Sequence, residues 1–291
     1  MLLKKATKED IKPIHMLFSK YFGDKIDIQF FTKIYCNYWD SDEDFFGYVL
    51  YDKEDAVAFC GYIFYDRFIN GEHHKFCNFS GWVVEKEYRR EYKTTVLEPL
   101  FNLAEQGYTL IGLSPTHGAY RVEKQLGFKD LETGKIQFTM NPLKLNFFNK
   151  IEIGIQKTIK DDLCSNEIIR IHQDHLTFVG LDRIFMKIDN QEIYLIYSSF
   201  TKKKIFKMME IMYISNPPLF FNNLDSTLNA LFLKFGFVGI RVESRFVPEK
   251  LKNTNKYLPF RKPHIYYSNR LKPAEIDLLY TERFLTYHLP Q

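Results

Sequence analysis

The run WVVEKEYRREYKTTVLEPLF, Trp82 to Phe101, gathers Arg89, Arg90 and Lys93 where an apolar strand turns into an amphipathic helix. A strand that splays into a helix N-terminus presents unpaired backbone N–H groups and the positive end of the helix dipole. Such an end takes anions, and three cations around it suit a diphosphate. The same residues also read as a solvated turn, in which Glu85, Glu87 and Glu91 pair with the bases at little net value. Just upstream, FCNFSGWVV alternates, which puts Asn78, Ser80, Trp82 and Val84 on one face of a strand. His117 follows LSPT at the end of a later strand, a place where a base can serve a cleft, or where a histidine is simply exposed. His172 and His175 stand three apart with no third or fourth ligand nearby, so no metal site is expected. His73 and His74 follow a hairpin turn and read as structural or solvated.

The elements that must position these groups alternate along the chain. LLKKAT predicts a first strand, and Thr7 with Asp10 resembles a capping box ahead of a helix carrying Ile11, Ile14, Leu17, Phe18 and Tyr21. Pro13 fits only in that helix's first turn. A second helix is expected over IQFFTKIYCNYW, after the Gly23–Asp24 break. FFGYVLYD, AVAFCGYIFYDRF and HHKFCNFSGWVVE then read as an antiparallel meander turning at DKED and INGEH. Helix (Thr94 to Gln106), strand (YTLIGLS), helix (Ala119 to Leu126) and strand (KIQFTM) follow. The order β-α-α-β-β-β-α-β-α-β describes an α/β mixed sheet with helices on both faces, closing near Asn141–Pro142.

The second half runs a similar course. IEIGIQKTI predicts a strand and SNEIIRIHQDH a helix; RIFMKI and EIYLIYSSFTK form a hairpin around Asp189–Asn190, with FKMMEIMYIS as the next strand. YRVEKQLGFKDL is echoed by NALFLKFGFVGI, each a helix ending in Gly-Phe, with Gly127 and Gly236 as left-handed caps. Aligned on those glycines, the second unit lacks a counterpart of EYRREYKTTVLEPLFNLAEQG. Two units are therefore expected, 1–143 and 144–291, the second without the anion-binding stretch.

The 291 residues include 40 Lys plus Arg against 36 Asp plus Glu, a net charge of +4 too small and too interspersed for a nucleic-acid stripe. The 28 Phe and 19 Tyr supply a large core. Cys36, Cys60, Cys77 and Cys164 lie far apart with no CxxC pair, which fits a reducing compartment. With no signal-like N-terminus and no long uncharged run, a cytoplasmic protein without a membrane span is expected.

WVVEKEYRREYKTTVLEPLF resembles the signature of the GCN5-related N-acetyltransferase (GNAT) family, a strand ending in Val followed by x-P-E-Y-R-G-x-G-x-G and a helix. Val84, Glu87, Tyr88 and Arg89 fall on it. LIGLSPTHGAYRVEKQLGF resembles the family's later N-x-x-A-x-x-x-Y-x-K-x-G-F block, with Ala119, Leu126, Gly127 and Phe128 matching. The resemblance spans about Met1 to Leu143. It implies an acyl-CoA site, acetyl-CoA above all, made by Trp82, Val83, Val84, Arg89, Arg90, Glu91, Tyr92, Lys93, Thr94 and Thr95. Arg90, Tyr92 and Thr94 replace the family's glycines, which admit the phosphates to the backbone; Arg90 and Lys93 offer charge instead. The resemblance also places a base position at Asn78, which cannot take a proton but can orient water or acceptor, with Ser80 beside it. It places the tyrosine acid position at Glu123, with Tyr120 one turn away as a substitute; His117 is a further candidate base. The tandem arrangement is similar to acetyltransferases of polysaccharide pathways, which implies a small, sugar-like acceptor bearing an amine or hydroxyl. A FemX-like transferase using aminoacyl-tRNA, or a tandem module that only binds a partner, are the other readings.

Overall fold

The computed structural model describes residues 1–23, 27–36, 39, 41–144, 151–154, 165–178, 180–188 and 190–285. Asp24, Cys164, Asp189 and the strand expected beyond Gly154 lie outside them. In chain order the elements are β1 (Leu2–Lys5), α1 (Ile11–Phe22), α2 (Ile28–Tyr35), β2 (Gly47–Asp52), β3 (Asp55–Ile69), β4 (Glu72–Val84), α3 (Arg89–Tyr92), α4 (Pro99–Glu105), β5 (Thr109–Gly112), α5 (His117–Gln125) and β6 (Lys129–Thr139). There follow β7 (Glu152–Gly154), α6 (Asn166–Asp174), β8 (Asp182–Ile188), β9 (Gln191–Lys202), β10 (Phe206–Ile214), α7 (Pro217–Asn222), α8 (Leu224–Phe235), β11 (Gly239–Glu243), α9 (Glu249–Lys252), β12 (Lys256–Tyr267) and α10 (Glu282–Leu285).

These elements make two compact units. One holds Met1–Leu131, Lys262–Ile276 and the described residues from Tyr280 on; the other holds Glu132–Arg261 and Asp277–Leu279. In the first unit the strand order is β1-β2-β3-β4-β5-β12, with β4 and β5 parallel and the remaining described pairs antiparallel. Asn70 and Gly71, both at positive φ (52° and 82°), make the two-residue turn from β3 to β4. The carboxylate of Asp10 accepts from the Thr7 backbone N–H (2.9 Å) and hydroxyl, which fixes the entry to α1. One sheet face packs Tyr62, Phe64, Cys77 and Phe79 against Leu100 and Leu103 of α4. Ile14, Leu17 and Phe18 of α1 and Phe31 of α2 are buried on the other side, where Phe31 meets Phe59.

The second unit has the order β6-β11-β10-β9-β8-β7, with β10 and β11 its parallel pair. Each unit thus takes a strand from the other half of the sequence: β12 lies beside β5, and β6 beside β11. Residues 85–108 join β4 to β5 and residues 215–238 join β10 to β11, 24 residues in each case. The stretch expected to be missing from the second unit therefore has a counterpart of equal length. The Gly-Phe echo had matched α8 to α5, one element too late; by position, α8 answers to α4. Phe220 and Phe221, at the head of that counterpart, are buried in the second unit's core. Gly236 does close α8 in the left-handed region (φ 73°), and Gly127 follows α5 at φ 95°.

The single helix expected from Thr94 to Gln106 begins only at Pro99, as α4; residues 93–98 are turns, and α3 lies before them. The β-branched Thr94, Thr95 and Val96 favour helix weakly, whereas Pro99 is preorganised for a first helical turn.

Candidate functional site

The site begins with a fault in β4. Its register with β3 runs from Val84 opposite Ala58 and Val83 opposite Phe59 to Ser80 opposite Gly61, so β4 carries one residue more than its partner at Gly81–Trp82. Gly81 takes φ 63°, and a Cβ there would stand 2.4 Å from the Tyr35 Oη and 2.8 Å from Phe18 Cε2. Only glycine fits both the dihedral and the space. The extra residue reverses the alternation beyond it. The single face expected for Asn78, Ser80, Trp82 and Val84 is therefore split. Val84 and Trp82 pack with Cys77 and Phe79, on the side of α4. Ser80 accepts from the Tyr35 hydroxyl of α2 (3.3 Å) on the other.

The parallel pairing of β4 with β5 covers Phe76 to Phe79 against Thr109 to Gly112 and ends there, while β4 continues to Val84. The two strands separate at the bulge. Between them lies a cavity of about 290 Å³, floored by residues 79–82 and 112–116 and walled by Phe18, Phe22, Phe31, Ile34 and Tyr35 of α1 and α2. The side chain of Thr116 caps α5, accepting from the Ala119 N–H (3.3 Å), and Ala119 and Glu123, one turn apart, face the cavity.

Two carboxyl groups line this cavity, Glu123 and Glu282. Glu123 is 3 % exposed, and among the described residues its Oε2 has no hydrogen-bond partner. Burial pushes its pKa up to about 7 and that of Glu282 to about 8. Such values suit groups that exchange protons near neutrality. The indole Nε1 of Trp82 is also buried without a hydrogen-bond partner among the described residues.

Asn78 is fully buried. Its Nδ2 donates to the carbonyl of Ile111 (3.1 Å) and contacts that of Phe79 (3.4 Å), while its Oδ1 accepts from the backbone N–H of Glu282 (2.8 Å). It ties α10 to β4 and so holds Glu282 at the cavity. Of the residues expected to do chemistry, Ser80 and Glu123 line the cavity, as does Trp82, expected to bind the cofactor; Asn78 is not among the lining residues. His117 is exposed at the start of α5 and is not among the lining residues, nor is Tyr120, whose hydroxyl donates to Asp130 (2.8 Å). Glu282 was missed because its place is set by Asn78, 204 residues earlier. The only local signal is a lone acid in the apolar run LLYTERFL.

The cationic knot sits where β4 ends. Arg89 donates from Nε to the carbonyl of Val84 (2.9 Å), and its guanidinium lies 5.1 Å from the Tyr21 ring. Glu85 accepts from Lys20 (2.5 Å) and the Tyr21 hydroxyl (2.8 Å), and Lys20 holds its carboxyl below the usual range. The Tyr88 hydroxyl donates to Asp52 (2.6 Å). Arg90, Glu91 and Lys93 are exposed; Tyr92, Thr94 and Thr95 are half-buried. Among the described residues Arg90 and Lys93 enter no ion pair, so the solvated-turn reading loses the acidic partner it gave them in Glu85.

His172 rests its Nδ1 against the Tyr194 hydroxyl (3.0 Å), and among the described residues no cluster of His, Cys, Asp and Glu is arranged to hold a metal. No described helix is long and apolar enough to cross a membrane.

No family model matches the sequence, and no curated protein does. Solved structures do. A GCN5-related N-acetyltransferase from Anabaena variabilis matches with a TM-score of 0.57 at 10% identity, over 91% of this chain and 72% of that one. An Enterococcus faecalis protein designated a probable N-acyltransferase gives 0.60 at 13%, over 94% and 73%. Eis1 from Mycobacterium abscessus gives 0.53 at 8%, over 92% and 74%. Identities this low speak for backbone architecture alone, and that architecture is similar to the GCN5-related N-acetyltransferase fold.

Proposed function

We propose that the chain is an acyl-CoA-dependent acyltransferase whose chemistry lies in the first unit. The observation that carries this is the cavity opened where β4 parts from β5, lined by two carboxyl groups that burial holds near neutrality. The resemblance of Trp82–Phe101 to a cofactor-binding signature places acyl-CoA along β4 and the turn after it. Trp82, Val83 and Val84 would flank its pantetheine arm, and Arg89, Arg90 and Lys93 would meet its phosphates, with Glu91, Tyr92, Thr94 and Thr95 shaping the turn. The exposed Arg90 and Lys93 are accessible to an anion. Backbone N–H groups of β4 beyond the end of its pairing with β5 would polarise the thioester carbonyl. Of Glu123 and Glu282, one would take the proton of the attacking nucleophile and the other, protonated, would give one to the leaving thiolate. The sequence halves, 1–143 and 144–291, divide the work: the first carries the cofactor strand and Glu123, and the second contributes β12 and Glu282.

The named structural matches carry no polysaccharide link, and a sugar-like acceptor has no support beyond the sequence resemblance. The test of the cofactor is thermal unfolding with acetyl-CoA beside 3′-phospho-ADP. A ligand bound only to the folded state adds about 2.7 kcal/mol at a hundredfold excess over its dissociation constant. A rise in midpoint that disappears in the Arg89→Ala/Arg90→Ala double variant supports the assignment. No shift at millimolar ligand would mean that Tyr92 and Thr94 close the site, leaving a tRNA-dependent transferase or a partner-binding module as the reading to pursue.

A further inference from the structure

The turn between β9 and β10, in the second unit, carries features that the fold alone does not call for. Its run Thr201–Lys207, TKKKIFK, holds four lysines and no acid. Lys203 and Lys204 take φ 52° and 61°, and the Ile205 N–H donates to the Lys202 carbonyl (3.3 Å), which closes the turn. Two left-handed residues in succession are a demand that asparagine and glycine meet with least strain. Lysines stand there instead, where side chains crowd the backbone. Ile205, next in the chain, is 78 % exposed, and Phe206 is 45 % exposed. The base of the turn is anchored on both strands. Lys207 donates from Nζ to the Phe235 carbonyl at the end of α8 (3.3 Å), and Lys202 donates to Gln137 Oε1 on β6 (3.2 Å). Lys203 and Lys204 enter no ion pair among the described residues, and Glu210, the nearest acid along β10, is bonded to Lys135. Desolvation, and then the charges of Lys256, Arg241 and Lys203, lower the Lys202 pKa, so positive charge is crowded along this end of the sheet.

We propose that this hairpin tip docks the protein on an anionic lipid surface, with Ile205 and Phe206 entering the acyl boundary and Lys203 and Lys204 among the headgroups. Charge and apolarity at the tip each exclude a different occupant. A nucleic acid would meet the lysines, but the group at the apex is an isoleucine, which gives a base no face to stack on. An apolar protein groove would take Ile205 and Phe206, yet it would strip water from two ammonium groups that have no counter-charge. A lipid surface meets both demands at once. Its headgroups carry the negative charge and the water, and hydrocarbon begins directly beneath them. Lysine stems lie against the apolar layer while their ammonium groups stay at headgroup level. The tip is rooted in packed structure: Phe206 shares a strand face with Met208, which pairs with Phe200 and is 2 % exposed. The hairpin therefore presents its apolar end on a fixed base. Each lysine brought to an anionic surface strengthens binding about fivefold, so the two unpaired ones and the two apolar side chains give a reversible, salt-sensitive attachment.

The experiment is flotation of the full chain with vesicles of phosphatidylcholine alone and of an equal mixture with phosphatidylglycerol. Binding to the mixed vesicles is expected to exceed that to the neutral ones by at least about tenfold and to weaken as salt is added. Lys203→Gln/Lys204→Gln should cut it by at least about tenfold. Ile205→Ser/Phe206→Ser, which keeps every charge, should cut it by a similar factor. A third variant separates binding from folding. Lys203→Asn/Lys204→Gly gives the turn the residues its dihedrals favour, so it should melt above the unmodified chain and still lose the vesicles. No flotation, equal flotation on neutral vesicles, or binding that survives either the lysine or the Ile205/Phe206 substitutions would overturn the proposal. Retention of tRNA through Lys203 and Lys204 without vesicle binding would overturn it too, and would give the hairpin to nucleic acid. Acetyl-CoA enters none of these samples, so the attachment stands or falls apart from acyl transfer.

Discussion

At the scale of single residues, the protein carries two carboxyl groups where apolar packing disfavours their charge. Glu123 and Glu282 have folded-state pKa values of about 7 and about 8, both above the usual glutamate range they return to on unfolding. The folded chain therefore binds more protons than the unfolded one between those ranges, and stability must fall as pH rises through them. The contribution is fully present only below the unfolded glutamate pKa of about 4.3, falls as pH rises from there, and is lost once both groups are ionised. Melting midpoints measured from roughly pH 5 to 9 should decline, and the Glu123→Gln/Glu282→Gln double variant should flatten that decline and melt above the unmodified chain at the alkaline end. Parallel curves would show that neither group is held protonated by the fold.

At the scale of elements, β4 is the piece on which the site depends, and Asn78 shows how. Its side chain joins β4 to β5 through Ile111 and to α10 through Glu282, all within a fully buried setting. Asn78→Leu keeps the volume and removes both links, leaving a buried carbonyl and N–H unsatisfied. A loss of about 2–4 kcal/mol in denaturant unfolding is expected, together with faster amide exchange across Glu282–Leu285. A loss within experimental scatter would mean that α10 is held by its packing alone. The same strand marks the limit of what could be read from sequence. The meander, the helix order and the Gly71 turn were legible because they rest on local pattern and local dihedral demand. The bulge was not credited, although Gly61 and Gly81 inside an aromatic strand were its signal. Without it the alternation ran on unbroken, and Trp82 and Val84 were put on the wrong face. Glu282 was out of reach altogether, because nothing local to it encodes the Asn78 side chain that seats it.

At the scale of the whole molecule, the exchange of strands decides what can fold alone. The sequence pattern invites a cut after Leu143, yet β5 pairs on one side with β12: Leu110 with Tyr267, Ile111 with Tyr266 and Gly112 with Ile265. Ile265 is fully buried in the first unit's core, and the Thr109 hydroxyl is bonded to that of Ser268 (2.8 Å). A chain ending at residue 143 would expose the edge of β5, where Leu110 and Ile111 are otherwise fully buried, and would lose Glu282 from the cavity. It would also carry β6 without its partner β11. Open, apolar strand edges recruit other strands, so this fragment should aggregate or remain loosely folded. The fragment 144–291 lacks β6 and should behave likewise. Mixed during refolding, the two should regain the cooperative melt of the intact chain, since each carries the strand the other needs. Circular dichroism melts of the fragments and of their mixture test this. A monomeric 1–143 fragment with a cooperative transition of its own would show that β12 is an addition to a unit already complete. Complementation would show that the tandem arrangement is what completes the site.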